Sequence, residues 1–596
     1  KSTSNHTITA AGNATQTTFS PYRHGGYSTY FDGSGDSLTT ASAILSTSGA
    51  FTVQCWVYLD DTSNATLWAQ GTSGNSQRAA VTIEAGNWYA QIGSAVINTT
   101  AAVANVWKFI EFQYDGSQIE LFIDGTSVGT ASNTTNAQNT GLFIGKLWAA
   151  NYDLQGYVTD LRVINGTPSG SSTTATERLT AITNTSLLTC HLPYIADGST
   201  TGHAITPNGN VSVKAFTPYD STEEYSAATH GGSLYGDANG ELTGTLPSAL
   251  GSGDFTIEGW FYSENFGSNT GVVTIGNHGA NGIAILLENT GKFRIDLQTS
   301  YSNNSTSNVQ LNTWNHFKVI RSSGTITAYL NGVQEQSFSN ALNITATNIT
   351  IGGRGGLSGY QHDGNLADIK VTASASGDTT VPTSVVSSTN ALFHLPFIEA
   401  GIIDKSQTAS NAILAGNTQS STTQTKYLSS SMYFDGSGDY IEVLHDPVFN
   451  LTKDFTIECW TYFDSLSSNR VIIDKYDNSN SASWQLYWRA TGSSISLYAE
   501  ATPLLQDPST STVTTGQWYH IAVSRTGSTV KLFIDGTEVD SATSSTAFTA
   551  TVPMQIGRQK VNNTNQFNGY LSDVRITNGL GRYTANFTAP AAALQG

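Results

Sequence analysis

The chain has little charge for its length, and its acidic residues outnumber its basic ones. Only 12% of the 596 residues are charged, yet the formal net charge is −18 because 44 acidic residues outnumber 26 basic ones. Such a balance repels nucleic-acid phosphates and anionic membrane surfaces. The sequence has no apolar run long enough for a transmembrane helix. We therefore predict neither nucleic acid nor membrane insertion for this chain.

Cysteine is almost as scarce, with only Cys55, Cys190 and Cys459. Cys55 and Cys459 occupy the same place in two copies of a repeated segment, and the intervening copy has Gly259 there. A position that accepts either Cys or Gly beside a tryptophan is typical of a small core site. We predict three free, buried thiols and no disulfide.

Catalytic signatures are also missing. The sequence has no His-Glu-x-x-His or Cys-x-x-Cys motif, and its Gly-x-Ser-x-Gly match, Gly125-Thr126-Ser127-Val128-Gly129, overlaps an Asp-Gly hairpin turn and is no nucleophile elbow. No strand carries the paired carboxylates of a retaining glycosidase. The nearest carboxylates, Glu258 and Glu458, each stand alone, and Gln54 replaces them in the first repeat. This variation favours a solvent-facing position over a catalytic one, so we predict that the protein is not an enzyme.

One sequence pattern occurs three times along the chain. Residues 51–58, 255–262 and 455–462 share Phe-Thr-x-x-x-Trp, at spacings of 204 and 200 residues. Such spacings exceed those of solenoid repeats, about 20–50 residues, and indicate tandem domains. Each copy also has an alternating pair of segments closed by Asp-Gly or Asn-Gly, and a late Gly-x-x-x-Asp segment. The alternation has period two, which predicts half-buried strands joined by primed turns.

The sequence thus predicts an all-β protein of three antiparallel two-sheet sandwiches. The predicted domains are residues 1–168, 186–374 and 390–596, joined by Ser/Thr-rich linkers at 169–185 and 375–389. Similar segments at 187–193 and 391–396 are predicted to open the second and third sandwiches. The first sandwich has no counterpart, so we expect a longer polypeptide whose upstream strand is missing, or a neighbour that supplies the strand by β-augmentation.

Four motifs together resemble one superfamily. They are Tyr-Phe-Asp-Gly-Ser-Gly-Asp, Phe-Thr-Ile-Glu-Cys-Trp, Leu-Phe-Ile-Asp-Gly and Gly-Tyr-Leu-Ser-Asp-Val-Arg-Ile. They resemble the laminin G-like, concanavalin A-like lectin/glucanase superfamily. The motif sequences of the first and third copies also resemble those of modules in bacteriophage tail-fibre and other virion proteins. The resemblance implies jelly-roll sandwiches. It says less about function, because the superfamily contains lectins, adhesion modules, hydrolases and structural domains.

Recurrent acidic residues are candidate ligands for a structural calcium ion, which takes 6–8 oxygens. They lie in the Asp-Gly-Ser-Gly-Asp turn, its altered form in the second copy and the late Gly-x-x-x-Asp segment: Asp32, Asp36, Asp160, Asp237, Glu241, Asp368, Asp435, Asp439 and Asp573. The alternative is that the first Asp caps its turn and the late Asp pairs with a nearby Arg or Lys.

Aromatic residues that differ between the copies are candidate platforms for sugar rings, with burial against the sandwich as the alternative. They are Trp68, Trp88, Tyr89, Trp148, Tyr152, Trp484, Tyr487, Trp488 and Tyr498. The tryptophans repeated in all copies are predicted to be core: Trp56, Trp260, Trp460, Trp107, Trp314 and Trp518.

The leading functional hypothesis is a structural, adhesive component of a bacteriophage virion that displays lectin-like sandwiches, with host glycans as ligands and other virion proteins or copies of itself as partners. A prokaryotic extracellular adhesin or surface-filament subunit is the alternative. A carbohydrate-processing enzyme is the third hypothesis. The expected location is a virion surface or the extracellular space.

Overall fold

The structure is a computed structural model. It describes residues 9–11, 15–17, 26–147, 152–201, 203, 205–208, 212–214, 232–238, 240–277, 282–297, 301–395, 412–415, 418–428, 430–477, 482–499, 502–507 and 513–594. The chain forms two compact bodies, of which the first holds two β-sandwiches and the second holds the third.

Within the described residues, the first two sandwiches are built from thirty strands. The strands up to the end of the first sandwich are β1 (Thr9–Ala11), β2 (Thr15–Thr17), β3 (Ser28–Asp32), β4 (Ser37–Thr40), β5 (Phe51–Leu59), β6 (Ala65–Gln70), β7 (Ala79–Glu84), β8 (Asn87–Ile92), β9 (Ala95–Ala101), β10 (Trp107–Tyr114), β11 (Gln118–Ile123), β12 (Thr126–Ser132), β13 (Leu142–Ile144), β14 (Gln155–Asn165), β15 (Thr185–Thr189), β16 (Ile205–Asn208) and β17 (Ser212–Lys214). Those of the second are β18 (Ser233–Asp237), β19 (Glu241–Thr245), β20 (Phe255–Ser263), β21 (Thr270–Ile275), β22 (Ile283–Leu287), β23 (Lys292–Leu297), β24 (Tyr301–Asn308), β25 (Trp314–Ser322), β26 (Thr325–Leu330), β27 (Val333–Ser339), β28 (Asn348–Ile351), β29 (Asp363–Thr372) and β30 (Ala391–Leu395).

The third sandwich repeats the pattern and adds a single 3-10 turn at Pro447–Phe449. Its strands are β31 (Ala412–Ala415), β32 (Gln419–Ser421), β33 (Ser431–Asp435), β34 (Tyr440–Val443), β35 (Phe455–Phe463), β36 (Arg470–Lys475), β37 (Trp484–Arg489), β38 (Ser494–Ala499), β39 (Thr502–Gln506), β40 (Trp518–Thr526), β41 (Thr529–Ile534), β42 (Thr537–Thr543), β43 (Met554–Ile556) and β44 (Asn568–Asn578). Across the described ranges, no helix has the length and apolar character needed to cross a membrane.

Each sandwich pairs two antiparallel sheets of the same topology. One sheet contains the Phe-Thr-x-x-x-Trp strand and is called here the Trp sheet; in the third sandwich its order is β32-β33-β44-β35-β40-β41-β42. The other, called the opposite sheet, has the order β31-β34-β43-β36-β37-β38-β39. The first and second sandwiches repeat this arrangement, which confirms the predicted fold class of three tandem jelly-roll sandwiches.

Alternation along the strands produces the core. On β5, Phe51, Val53, Cys55 and Val57 point between the sheets and join a large apolar cluster, while the residues between them face outward. Equivalent clusters fill the second and third sandwiches. The three cysteines are free and buried, as predicted.

The Asp-Gly and Asn-Gly turns have the predicted primed geometry. Both residues of each turn have positive φ, for example 50° at Asp535 and 79° at Gly536. Such values are the requirement of a type I′ hairpin, and they explain why Asp or Asn precedes Gly in all three copies.

Two strands belong to different sandwiches from those predicted. β15 pairs with β14 of the first sandwich, where Leu187 lies opposite Val163, and β30 pairs with β29 of the second, where Phe393 lies opposite Val371. The prediction that these segments open the following sandwich is therefore wrong. β3 covers only the first half of β14, so the second half has an open edge that β15 fills. The first sandwich thus lacks no strand of this kind.

The segments that follow β14, β29 and β44 pack against the sheets, and the first two contain the predicted Ser/Thr-rich linkers. They cross the outer face of the Trp sheet and are called here the tails: residues 166–184, 373–390 and 579–594. In the second sandwich Thr256 Oγ1 donates to the carbonyl of Ser374 and accepts the N–H of Ser376. In the third, Thr456 makes the same two contacts with Leu580 and Arg582.

The first two sandwiches are joined by an exchange of edge strands. β16 and β17, which precede the second sandwich in sequence, pair with β4 and β3 of the first. β1, which precedes the first sandwich, pairs with β19 of the second. In the third sandwich the corresponding strands β31 and β32 pair with their own β34 and β33.

We predict that Gly259→Cys lowers the free energy of unfolding by about 1–3 kcal/mol, the usual cost of overpacking a core. A Cβ at Gly259 would lie 2.5 Å from Ile369 Cδ1 and 3.2 Å from Ile369 Cα. Val574 stands at the matching place in the third sandwich, whose small site holds Cys459. Ile369→Val should therefore restore part of the loss, as measured by a double-mutant cycle in denaturant titrations. Strict additivity of the two substitutions would contradict this account.

Candidate functional site

The outer face of the Trp sheet is occupied by buried polar pairs, and this corrects the expectation that Gln54, Glu258 and Glu458 face solvent. Glu258 lies 2.9 Å from Lys318 Nζ, and Lys318 also donates to the tail carbonyl of Asp378. In the first sandwich Gln54 accepts from Arg162 at 2.6 Å. The tails cover these side chains, and hydrogen bonds from Arg162 and Lys318 to tail carbonyls hold the tails in place.

The third sandwich has the most extensive of these pairs. Glu458 is fully buried and lies 2.7 Å from Arg575, while His520 Nε2 is 3.1 Å away and the Tyr583 hydroxyl of the tail donates at 2.8 Å. Burial alone would raise the pKa of Glu458, but the hydrogen bonds from His520 and Arg575 hold it below its ordinary value. Tyr583 also stacks on Phe587, with ring centroids 3.7 Å apart. The cluster is a structural anchor.

The repeated tryptophans lie on this outer face and not between the sheets. Trp260, Trp314 and Trp460 are buried there, as predicted, whereas Trp56, Trp107 and Trp518 are half-buried, which is a second correction. Trp56 alternates with the core-facing residues of β5, and its ring lies 5.4 Å from Phe109. Tyr58 and Trp107 are 5.6 Å apart, and Tyr462 and Trp518 repeat that distance. The repetition of these residues therefore reflects a shared outer surface.

Four of the candidate sugar platforms are core residues. Trp68, Trp88, Trp484 and Trp488 are each at most 3% exposed and belong to the clusters between the sheets. A ring buried in this way offers no face to a sugar, so the prediction is wrong for these four. Trp148 lies outside the described residues.

The remaining candidates are more accessible. Tyr89, Tyr152 and Tyr498 are half-buried. Burial and the neighbouring Glu84 raise the pKa of the Tyr89 hydroxyl, and Tyr152 adds to the effect. Tyr487 is buried beneath Tyr498, with ring centroids 5.6 Å apart.

Tyr498 ends a row of polar residues across the outer face of the opposite sheet in the third sandwich. The strand register aligns Glu442, Gln555, Asp474, Gln485 and Tyr498 on five neighbouring strands. Strands are about 4.8 Å apart, so this polar row is about 19 Å long.

Hydrogen bonds link the polar row into one network. Gln555 Nε2 donates to Glu442 at 2.7 Å, Gln485 Nε2 donates to Asp474 at 2.6 Å, and the backbone N–H of Lys560 donates to Asp474 at 3.0 Å. Lys560 Nζ lies 3.1 Å from Glu442. Burial raises the pKa of Asp474 from its ordinary 3.8 to about 6, although hydrogen bonds from Lys560 and Gln485 oppose the rise.

The ends of the polar row are exposed enough to meet a ligand. Glu442, Tyr440 and Tyr498 are half-buried, whereas Asp474 is fully buried. The Arg558 guanidinium lies 3.4 Å from the centroid of the Tyr440 ring. Asp474 therefore supports the row, and the residues at its two ends present hydrogen-bonding and aromatic groups to the outside.

The other two sandwiches carry different residues at the same positions. In the second the row consists of Thr243, Thr350, Thr274, Ala284 and Asp296. In the first it consists of Thr39, Phe143, Ala69, Ala80 and Gln91. The opposite sheet thus varies on its outer face, while the Trp sheet repeats its own.

The Asp-Gly-Ser-Gly-Asp carboxylates hold their own turns. The N–H of Asp32 donates to Asp36 at 2.9 Å, and the N–H of Ser34 donates to Asp32 at 2.8 Å. Asp435 and Asp439 are arranged in the same way. Glu241 is approached by Gln361 Nε2 at 3.5 Å, and the Asp237 side chain lies outside the described part.

The late aspartates lie at a bulge with positive φ and accept tail N–H groups. Asp160, Asp368 and Asp573 bind the N–H groups of Leu179, Val386 and Leu594. Within the ranges that the structure describes, no three His, Cys, Asp or Glu side chains come together as a metal site. Calcium binding by these carboxylates is not tested by this arrangement and stays a prediction.

Asp368 also takes part in a serine–histidine–aspartate line. Its carboxylate is 2.6 Å from His394 Nε2, and His394 Nδ1 is 2.7 Å from Ser388 Oγ. The same carboxylate accepts the N–H of Val386. Since Ser388 and Val386 both belong to the tail, the line fastens the tail of the second sandwich to β29 and β30.

Sequence reasoning missed most of the polar row. The sequence pattern that could have revealed it is the alternation in Trp484-Gln485-Leu486-Tyr487-Trp488. There the two tryptophans share one face of the strand, and Gln485 shares the other face with Tyr487. Neither the glutamines nor Asp474 belongs to a repeated motif, so comparison of the copies did not select them.

Comparison with known families gives the identity of the fold. The profile of the concanavalin A-like lectin/glucanases superfamily matches residues 32–173, 231–381 and 435–580. The chain belongs to this superfamily, in three copies. No curated protein matches it. The protein is therefore a tandem array of lectin-like binding modules.

Solved structures with similar folds include the LG1-3 region of the laminin α2 chain, at 12% identity and a TM-score of 0.32, covering 92% of this chain and 96% of that one. Mouse laminin α1 domains LG4-5 share 10% identity at a TM-score of 0.21, covering 62% and 95%. The CBM40 of Ruminococcus gnavus IT-sialidase bound to α2,3-sialyllactose shares 14% identity at a TM-score of 0.20, covering 22% and 80%.

We predict that the third sandwich loses stability as the pH rises from about 4 to about 6. The pKa of Asp474 is higher in the folded state than in the unfolded chain, so the folded state binds more protons in this window. The loss is about 3 kcal/mol, because the pKa rises from 3.8 to about 6 and each pKa unit is worth about 1.4 kcal/mol, and it stops above pH 6. Hydrogen exchange of peptides from residues 470–499 in a denaturant series measures it. Asp474→Asn should flatten this slope, and an unchanged slope would contradict the assignment.

Proposed function

We propose that the protein binds neutral glycans, and that the outer face of the opposite sheet in the third sandwich is its principal binding surface. The observation that supports this proposal is the polar row from Glu442 to Tyr498, a hydrogen-bonded line of carboxylate and amide groups that ends in an aromatic ring. The superfamily to which the chain belongs includes lectins by its description.

The chemistry of the row suits sugars. Sugar hydroxyls exchange hydrogen bonds with carboxylates and cationic groups, which Glu442, Lys560 and Arg558 provide, and the apolar face of a pyranose packs on a ring such as Tyr498. The network holds these groups in place before a ligand arrives, which lowers the entropic cost of binding. The half-exposed ends of the row, Glu442 and Tyr498, are about 19 Å apart, so a ligand that contacts both ends must be an oligosaccharide and not a single sugar.

Charge favours a neutral ligand. The net charge of −18 repels sulfated or otherwise polyanionic chains over long range. Within the row, Glu442 and Asp474 are set against Lys560 and Arg558, so the surface has no excess of cations.

The three sandwiches together allow weak sites to act in concert. Tyr89 and Tyr152 give the first sandwich a smaller candidate surface, and Arg78 Nε donates to Gln91 beside it at 3.2 Å. Two modest sites on one chain can bind a surface far more tightly than either alone. This arrangement suits adhesion to a glycan-covered cell, and we propose a virion surface or an extracellular fibre as the location of the protein. We also propose that the protein does not catalyse a reaction.

We predict that a glycan array probed with the full chain shows binding to neutral oligosaccharides. Tyr498→Ala should weaken binding about five- to thirtyfold, because removal of a central aromatic contact costs roughly 1–2 kcal/mol. Glu442→Gln should weaken it to a smaller extent, since the amide keeps one acceptor for Gln555.

The matched control is Tyr329→Ala, which removes a half-buried tyrosine from the Trp sheet of the second sandwich and should leave binding unchanged. Arrays repeated with a chelator test the calcium prediction separately. Binding confined to anionic glycans, or equal losses for Tyr498→Ala and Tyr329→Ala, would refute the proposed site.

A further inference from the structure

One loop borders the outer face of the opposite sheet in each sandwich. It joins the short strand β13, β28 or β43 to the last strand of the Trp sheet, and it is called here the border loop: residues 146–153, 353–361 and 558–566. The same backbone hydrogen bond closes it in every copy, and in the third sandwich the N–H of Phe567 donates to the carbonyl of Gly557 at 2.7 Å. The three loops are therefore equivalent in position, although their side chains differ.

Contacts with three residues of the polar row fix the border loop of the third sandwich. The N–H of Lys560 donates to Asp474 at 3.0 Å, and Lys560 Nζ lies 3.1 Å from Glu442. Arg558 Nε donates to Gln555 Oε1 at 3.1 Å. Because the three row residues lie on three neighbouring strands, the loop is held beside the row before any ligand arrives.

The tip of this loop presents a basic residue followed by an apolar one. The N–H of Asn563 donates to the carbonyl of Lys560 at 3.3 Å, which closes a turn that contains Val561. Val561 is 39% exposed, and the side chains of Lys560 and Glu442 are 32% and 23% exposed. A lysine ammonium has three donors, so Nζ can serve a ligand as well as Glu442. A carboxylate, an ammonium and an apolar side chain thus lie together at the exposed end of the row.

The other two sandwiches use the basic residue of the loop differently. In the second, the N–H of Leu357 donates to the carbonyl of Arg354, so Arg354 takes the place of Lys560. Its guanidinium lies 3.5 Å from Asp296, at the far end of its own row, and its side chain is only 8% exposed. In the first, Lys146 lies 3.5 Å from Asp153 of the same loop. The exposed combination at Lys560 is therefore not a general feature of the fold.

We propose that Glu442, Lys560 and Val561 form a subsite for an acetamido group, so that the third sandwich selects N-acetylated neutral oligosaccharides. This inference rests on the proposed function and deepens it. An acetamido group has an N–H donor, a carbonyl acceptor and a methyl group. Glu442 accepts the N–H, Lys560 Nζ donates to the carbonyl, and Val561 packs against the methyl group.

The acetamido group suits this subsite better than a sugar hydroxyl does. A hydroxyl in the same place offers no methyl group to Val561, and it is too short to contact both the carboxylate and the ammonium as an amide does. The acetamido group is also uncharged, so it adds no repulsion from a chain whose net charge is −18.

The test measures the affinity of the full chain for matched pairs of neutral oligosaccharides by titration calorimetry. One pair consists of the β1,4-linked tetramers of N-acetylglucosamine and of glucose. The other consists of trisaccharides that end in N-acetylgalactosamine or in galactose. We expect the acetamido member of at least one pair to bind about tenfold more tightly, because it gains a hydrogen bond to a charged group.

Lys560→Met should remove most of this preference. Methionine keeps the backbone N–H that Asp474 accepts and an aliphatic stem, so the loop keeps its place. Val561→Ser should reduce the preference about two- to fourfold, because the contact with the methyl group is lost. Damage to the fold would instead weaken both members of a pair equally.

The matched control is Lys531→Met, which breaks a lysine–glutamate pair on the Trp sheet of the same sandwich, where Nζ lies 2.8 Å from Glu538. It should leave the preference unchanged. Equal affinity for the two members of both pairs, or a preference that Lys560→Met and Lys531→Met change equally, would overturn the acetamido subsite. Such a result leaves the proposed function standing if Tyr498→Ala still weakens binding. Absence of binding, or binding that Tyr498→Ala leaves unchanged, would overturn the proposed function and the subsite together.

Discussion

The constraint on which the structure depends is that the Trp sheet is buried on both faces. Its inner face packs against the opposite sheet, and its outer face lies under a tail. A polar side chain buried there must find a partner, since an unpaired buried charge is strongly destabilising. The three sandwiches solve this with different groups: Gln54 with Arg162, Glu258 with Lys318, and Glu458 with Arg575, His520 and Tyr583.

This double burial separates structure from binding. The tails occupy the outer face of each Trp sheet, and that surface repeats its tyrosine–tryptophan ring contacts from copy to copy, although its polar pairs differ. On the outer face of the opposite sheet the aligned rows diverge from Thr and Ala to Asp, Gln and Tyr, and in the third sandwich the two ends of the row, Glu442 and Tyr498, are half-exposed. The variable surface is where ligand recognition can differ between the sandwiches.

The sequence predicted what depends on local pattern. Period-two alternation indicated the strands, Asp535-Gly536 and its counterparts indicated the primed turns, and the alternation of Cys with Gly indicated a small core site. It did not predict which sheet edge a strand joins, because β15 and β30 carry equally apolar residues wherever they pair. It also assigned Trp56 to the core, since both Cys55 and Trp56 are apolar and the phase of the alternation is ambiguous at that point. Trp484 and Trp488 were mistaken for contact residues because a residue that varies between copies can still be core when its neighbours change with it.

The central claim is that ligand binds the opposite sheet of the third sandwich while the tail-covered Trp sheet serves only the fold. Hydrogen exchange of the full chain, with and without a bound neutral oligosaccharide, tests this claim most directly. The account predicts slower exchange in residues 484–499 and 554–560, and no change in residues 455–463 or in the tail at 579–594. Protection confined to the tail and the Trp sheet would contradict it.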